Sequence, residues 1–328
     1  MKVINTLKVL AFASAMSTTA SLYADMPDVN TSIKADTTIG VNKDGDETLQ
    51  SKDMILDLST QFHGIQIDMG LDVAEAIGHY LRQNGEDVNV DIDGEKLLND
   101  LTATIDLMDG SIQIKMGKQT IQMLENSFSG PEARDPLYDI KRLQQVIAGV
   151  VSTHPAFLNA IADRIDIWIA DSSEFDNKMG EGNSSYGVKI AKQLSDKFRM
   201  SASYSRLSSN EKDIDDSTGI ISLSVEAALN DRLSAYGSVI DVHPDDLASK
   251  EDETYIQFGA RAQDVLGGVA GVDYSRGLES KDSNIQFNLE YKLSKNVSVK
   301  PYVGVTMYDE NDRDNDVEGG AEFKLKFN

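Results

Sequence analysis

The chain has 328 residues, no cysteine, and 54 acidic against 31 basic side chains, for a formal net charge of −23. Without cysteine it holds no disulfide, no thiolate metal site, no cysteine nucleophile and no lipid on an N-terminal cysteine. So acidic a surface is a poor partner for nucleic acid, whereas divalent cations would collect around it.

The first 24 residues read as a cleaved secretory leader. Lys2 and Lys8 are its positive end, Val9 to Met16 its short apolar stretch and Leu22-Tyr23-Ala24 its small-residue cleavage site. That stretch is too short to span a bilayer as a helix, and no later run approaches the length of a transmembrane helix. Residues 25–328 are expected to form a single domain.

From there the pattern has a period of two. Alternating segments fall at 31–41, 52–62, 64–72, 98–108, 111–121, 144–152, 163–171, 185–195, 197–207, 218–229, 232–241, 254–264, 268–277, 284–294, 297–308 and 317–328. Successive side chains of a strand point to opposite faces, so each segment has one apolar and one polar face. Tight links are expected at His63, Asp109-Gly110, Ser195-Asp196, Asn230-Asp231, Val265 to Gly267 and Lys295-Asn296. Longer links alternate with them at 42–51, 73–97, 122–143, 172–184, 208–217, 242–253, 278–283 and 309–316, and 153–162 is the exception to the short class. Within 73–97, Val73 to Arg82 reads as a short helix. The expected fold is all-β: a transmembrane antiparallel up-and-down β-barrel of about 16 strands, within a range of 14–18.

Parity assigns charges to the polar face. The candidates for lining the interior are Lys115, Arg164, Asp166, Lys189, Arg199, Glu226, Arg261, Asp273, Glu290, Lys292 and Lys300. Their signs are mixed, so the acidic excess is expected in the loops, as in 43–47, 241–253 and 309–316. Link 122–143 holds both signs around a Gly130-Pro131 turn, and Glu125, Glu132, Arg134 and Asp135 are its candidates for narrowing the interior.

Chemistry is sparsely marked. All four histidines, His63, His79, His154 and His243, are expected in turns or loops, with no pair at a metal-ligand spacing and no nucleophile elbow. The chain is therefore not expected to be an enzyme or to carry a cofactor. Asp312, Asp314 and Asp316 offer oxygen at alternate positions, enough for loosely held Ca2+ or Mg2+ but without the glycine and distal glutamate of an EF-hand loop.

On these residues the chain resembles Gram-negative outer-membrane porins. The closing run Ala321 to Phe327, with Phe323, Leu325 and Phe327 at alternate positions, looks like the signal read by the barrel-assembly machinery. The family usually ends on the aromatic residue itself, and here Asn328 follows. More narrowly, Met116-Gly117-Lys118-Gln119 followed by Asp135-Pro136-Leu137 is similar to the legiobactin-type siderophore porin group, although Thr120-Ile121-Gln122 stands where that group carries a proline-phenylalanine-glycine stretch. The resemblance implies the bacterial outer membrane, contact with its lipid and lipopolysaccharide, a homotrimer, and a third long loop folded inward. It implies passive diffusion of small hydrophilic solutes, and the acidic mouth adds a weak preference for cations. Alternatives are a channel selective for an iron-siderophore or similar chelate, a non-conducting structural or adhesive barrel, and an exported soluble β-protein.

Overall fold

A computed structural model describes residues 29–42, 47–62, 64–72, 98–125, 137, 141–154, 161–171, 184–208, 217–244, 252–309 and 315–327. The leader, the helix expected at Val73 to Arg82, His63 and His79 lie outside these residues.

The described chain forms sixteen strands: β1 (Val29–Asn42), β2 (Glu47–Phe62), β3 (Ile65–Asp72), β4 (Leu98–Leu107), β5 (Ile112–Gln122), β6 (Arg142–Thr153), β7 (Arg164–Asp171) and β8 (Ser184–Ser195), then β9 (Phe198–Ser208), β10 (Ser217–Asn230), β11 (Leu233–Pro244), β12 (Glu253–Val265), β13 (Gly268–Gly277), β14 (Ser283–Ser294), β15 (Val297–Met307) and β16 (Asp316–Phe327). Every strand pairs antiparallel with its neighbours in sequence, and β1 pairs with β16 from Ile33–Phe327 to Asn42–Glu318, closing the sheet into a barrel. Closure matters because an open edge would leave a row of backbone groups unpaired.

The short links gather at one end. Those at 196–197, 231–232, 266–267 and 295–296 span two residues each, while 154–163 is long, as the sequence pattern anticipates. At Asp109-Gly110, φ is 55° and 82°, and Ser111 N–H donates to Met108 O at 3.1 Å. Positive φ at both central positions is what a hairpin turn matching the strand twist requires, and Asp-Gly supplies it at low cost.

Two expectations need correction. β1 and β2 extend further than the alternation suggests and pair as far as Val41–Glu47, so the link at 42–51 shrinks to 43–46. The cross-strand backbone ladder holds this stretch extended whatever its side chains. His243 lies in a strand, β11, rather than in a loop, and pairs with Gly219.

One strand carries a local break in geometry. Gly117 adopts φ 129°, and a Cβ there would meet Leu101 O at 2.0 Å, so no other residue fits without moving the β4 backbone.

Candidate functional site: the barrel interior

Directly paired residues of an antiparallel sheet share a face, so the registers sort the wall into rows. One row runs Thr104, Lys115, Val150, Trp168, Gly187, Ser205, Ile220 and Val242. A second runs Ser152, Asp166, Lys189, Ser203, Ser222, Ile240 and Tyr255. A third runs Arg199, Glu226, Tyr236, Gly259, Asp273 and Gln286. Buried serines, glutamines and carboxylates mark this face as the interior. The opposite face carries exposed Ile67, Leu101, Met116, Ile147, Ile167, Ile169, Leu223, Val239, Phe258, Phe287 and Val303.

All eleven candidates from Lys115 to Lys300 fall on the interior face. Arg164 pairs with buried Ala191, Arg261 lies in the row Ser234, Gly271, Asn288, and Lys300 pairs with Glu322. Glu290 and Lys292 follow Asn288 along β14 with the same parity.

These charges are ordered by contacts with one another. Arg164 Nε donates to Asp166 Oδ1 at 2.8 Å. Tyr236 OH donates to Asp273 Oδ1 at 2.6 Å, with Asn288 Nδ2 at 3.4 Å from Oδ2. Lys300 Nζ lies 3.8 Å from both Glu290 and Glu322, and Lys324 Nζ is 3.4 Å from Glu322. Asp273 and Glu322 are only 1% exposed, so contacts of this kind are what make an ionised carboxylate tolerable there.

Large aromatics are seated over glycines. The Trp168 ring covers its register partner Gly187, and Tyr236 covers Gly259; a Cβ at 187 would meet the indole at 2.6–2.7 Å, and one at 259 would meet Tyr236 Cε1 at 2.5 Å. Trp168, at 3% exposure, therefore belongs to the interior and not to an outer aromatic girdle.

The described ends of the link between β5 and β6 enter the barrel. Ile121, Met123, Leu124 and Leu137 are buried with Trp168, Ile220 and Ile240, and Val150, Val242 and Tyr255 pack around them. Backbone and side-chain bonds hold the two ends together. Met123 and Leu124 N–H donate to Lys141 O at 3.0 and 3.4 Å, and Arg142 Nε donates to Gln122 Oε1 at 2.9 Å. Lys141 Nζ then donates to Gln257 Oε1 on β12 at 2.7 Å, six strands around the wall from β6. Glu125 lies 3.9 Å from Lys189 Nζ and 3.6 Å from Arg199 Nη1. Each fully buried leucine in such a cluster contributes about 1.5–3 kcal/mol.

Parity missed this apolar patch because it expects a polar inner face. The signal lay in broken alternation: Ile220-Ile221 and Val239-Ile240 place apolar residues on both faces, opposite a link that begins Met123-Leu124.

Of the remaining candidates, Glu132, Arg134 and Asp135 lie outside the described residues, as do Asp312 and Asp314. Asp316 opens β16 and pairs with Thr306. Among the described residues no group of three histidines or carboxylates is placed to hold a metal ion. Phe323 and Leu325 pair with Val299 and Val297, and Phe327 with Ile33 and so at the seam.

The rim at the long-link end is acidic and hydrogen-bonded. His243 Nε2 is 2.6 Å from Asp241 Oδ2, and its Nδ1 is 3.2 Å from Asp252 Oδ2. Thr254 N–H donates to Glu279 at 2.7 Å, Ser280 N–H to Glu253 at 3.2 Å and Asp309 N–H to Asp282 at 3.2 Å.

No family model and no curated protein matches the chain. Solved structures do. OmpT of Vibrio cholerae, an outer membrane protein in its trimer form, superposes with a TM-score of 0.60 at 11% identity, over 91% of this chain and 99% of that one. A refined porin gives 0.58 at 13% identity over 92% and 100%, and the outer membrane channel DcaP of Acinetobacter baumannii gives 0.59 at 12% over 92% and 97%. At such identities the likeness is one of fold: the chain has the architecture of outer-membrane porins.

Proposed function

We propose that this chain resides in the bacterial outer membrane and passes small hydrophilic solutes by passive diffusion, without covalent chemistry. The observation that supports this reading is the division of the barrel: exposed aliphatic and aromatic side chains outside, and ordered charges of both signs inside. Only a closed sheet pairs its backbone fully in lipid, and a charged interior suits a water-filled path. Filtering is steric, at the level of the packed β5–β6 link with Glu125, and electrostatic, with the acidic rim favouring cations weakly. The first 24 residues are removed on export, the closing Phe323, Leu325 and Phe327 are read during assembly, and lipid and lipopolysaccharide surround a homotrimer. Loosely held Ca2+ or Mg2+ gathers at the acidic rim.

A solute-selective channel is the second reading. The fixing of the β5–β6 link by Trp168, Ile220 and Lys141 favours it, because a rigid obstruction sorts solutes by shape. An iron chelate is the solute that the local resemblance at 116–119 suggests.

Detergent-extracted protein should migrate differently with and without boiling, and should conduct in planar bilayers with cation preference that declines as salt rises. Unchanged mobility together with solubility in plain buffer would remove the barrel-in-membrane reading. Absence of conductance would favour a structural role, and saturating flux of one solute the selective channel.

A further inference from the structure

We infer that the interior holds a binding subsite for small zwitterions, built by Arg261 on β12, Glu290 on β14 and Lys300 on β15. The proposal deepens the channel reading, on which its role in transport rests.

Arg261 lines two hollows. One, of about 230 Å³, is lined by residues including Arg199, Glu226, Tyr236 and Arg261. The other, of about 190 Å³, is lined by Arg261, Gly271, Asn288, Glu290 and Lys300 among others. Gly271 stands between Arg261 and Asn288 in their row and lines the second hollow without a side chain. Both hollows lie on the short-link side of the buried link ends.

The charges round them alternate. Glu290, 34% exposed, faces Lys300, which also leans on deeply buried Glu322. Adjacent strands are about 4.8 Å apart, a spacing on which the opposite ends of a short zwitterion can each meet an opposite charge. Its carboxylate would be taken by Arg261 and Lys300, and its ammonium by Glu290.

Charge balance selects this class over simple ions. Lys197, Arg199, Arg261 and Lys300 line the two hollows together with Asp196, Glu226 and Glu290, so a monocation finds no net attraction there. A monoanion arriving through the long-link end would first have to pass the rim of Asp241, Asp252, Glu253, Glu279, Asp282 and Asp309. A zwitterion has no net charge to be repelled at the rim and two charged ends to place inside.

Glycine and its neutral isomer glycolamide make the test. Saturation-transfer NMR on the detergent-solubilised full barrel reads binding whether or not the protein conducts. Glycine should give a signal and glycolamide none, and Arg261→Gln and Glu290→Gln should each cut the glycine signal at least five-fold. Both variants should retain heat-modified mobility, and Arg232→Gln, in the exposed link before β11, should retain the wild-type signal. Equal signals from the two isomers overturn the subsite. So does an undiminished glycine signal in the two folded variants. Should both variants fail to fold, unequal signals from the two isomers on the wild-type barrel still decide for the subsite. A barrel that binds glycine but passes no current supports the subsite and overturns the channel reading instead.

Discussion

The indole of Trp168 lies flat against Gly187, its register partner across the β7–β8 ladder, and fills the space where any Cβ at 187 would stand. The same ring forms one wall of the cluster that buries Met123, Leu124 and Leu137. A glycine in one strand thus sets where the β5–β6 link can rest. Gly187→Ala should displace the ring and cost about 1–3 kcal/mol by overpacking. Trp168→Ala should cost about 3–5 kcal/mol. Denaturant unfolding of the detergent-folded barrel measures both, and a midpoint unchanged in Gly187→Ala would contradict the seating of Trp168.

Leu124 and Leu137 hold the link ends against Ile220 and Ile240. Truncating either to alanine should lose about 2–5 kcal/mol of local packing. Since that packing keeps the link inside, single-channel current should rise and become noisier in both variants. Quiet currents of wild-type size would mean that the hydrogen bonds of Lys141 alone fix the link.

Glu125 is shared by Lys189 and Arg199. In Glu125→Gln both cations lose this shared counter-charge, so the interior at that level becomes more positive. Reversal potentials in a salt gradient should move toward anions, by an amount equivalent to about 1 kcal/mol at low salt and less at high salt. A move toward cations would contradict the assignment.

The link between β6 and β7 has its own acid dependence. Asp163 Oδ1 accepts from Lys192 Nζ at 2.7 Å and Oδ2 from Gln193 N–H at 2.6 Å, and chiefly the lysine contact holds its carboxyl below the usual carboxylate range. A depressed folded value means that this tie is fully present above the unfolded value, about 3.9, and is lost as pH falls through the folded one. Corrected for intrinsic exchange, hydrogen exchange in the described part of this link should quicken as the medium is acidified below about pH 4. In Asp163→Asn it should be faster throughout and independent of pH once corrected for intrinsic exchange.

Because the chain has no cysteine, single thiols report access cleanly. A cysteine replacing Glu290, 34% exposed on the inner wall, should react with a charged thiol reagent and reduce current, whereas one replacing Ile240, sealed under the link ends, should stay protected. Equal labelling would place the open path elsewhere.

Much of this was legible in the one-dimensional pattern, for a physical reason. A strand with different solvents on its two faces must alternate, so Phe287 and Asn288, or Val303 and Gly304, declare their faces locally. The sixteen strands and the interior position of Arg199 or Lys300 follow from such parity. What parity cannot carry is contact across the barrel. That Lys141 reaches Gln257, or that Met123 meets Ile220, depends on how a link folds through space, and no periodicity encodes it. His243 was misplaced because β11 runs past its alternating stretch, where pairing with Gly219 rather than side-chain pattern keeps the backbone extended.

The seam between β1 and β16 has a kinetic meaning. Each of the other pairings joins strands adjacent in sequence, so it can form while the rest of the chain is still unordered. The match of Ile33 with Phe327 joins residues nearly three hundred positions apart, and the entropy of bringing them together falls on that one step. Zipping of hairpins should therefore be fast and progressive, with a slow final event in which the two ends meet. Lengthening any single link should leave that last step almost untouched, since its entropic cost grows only with the logarithm of the loop.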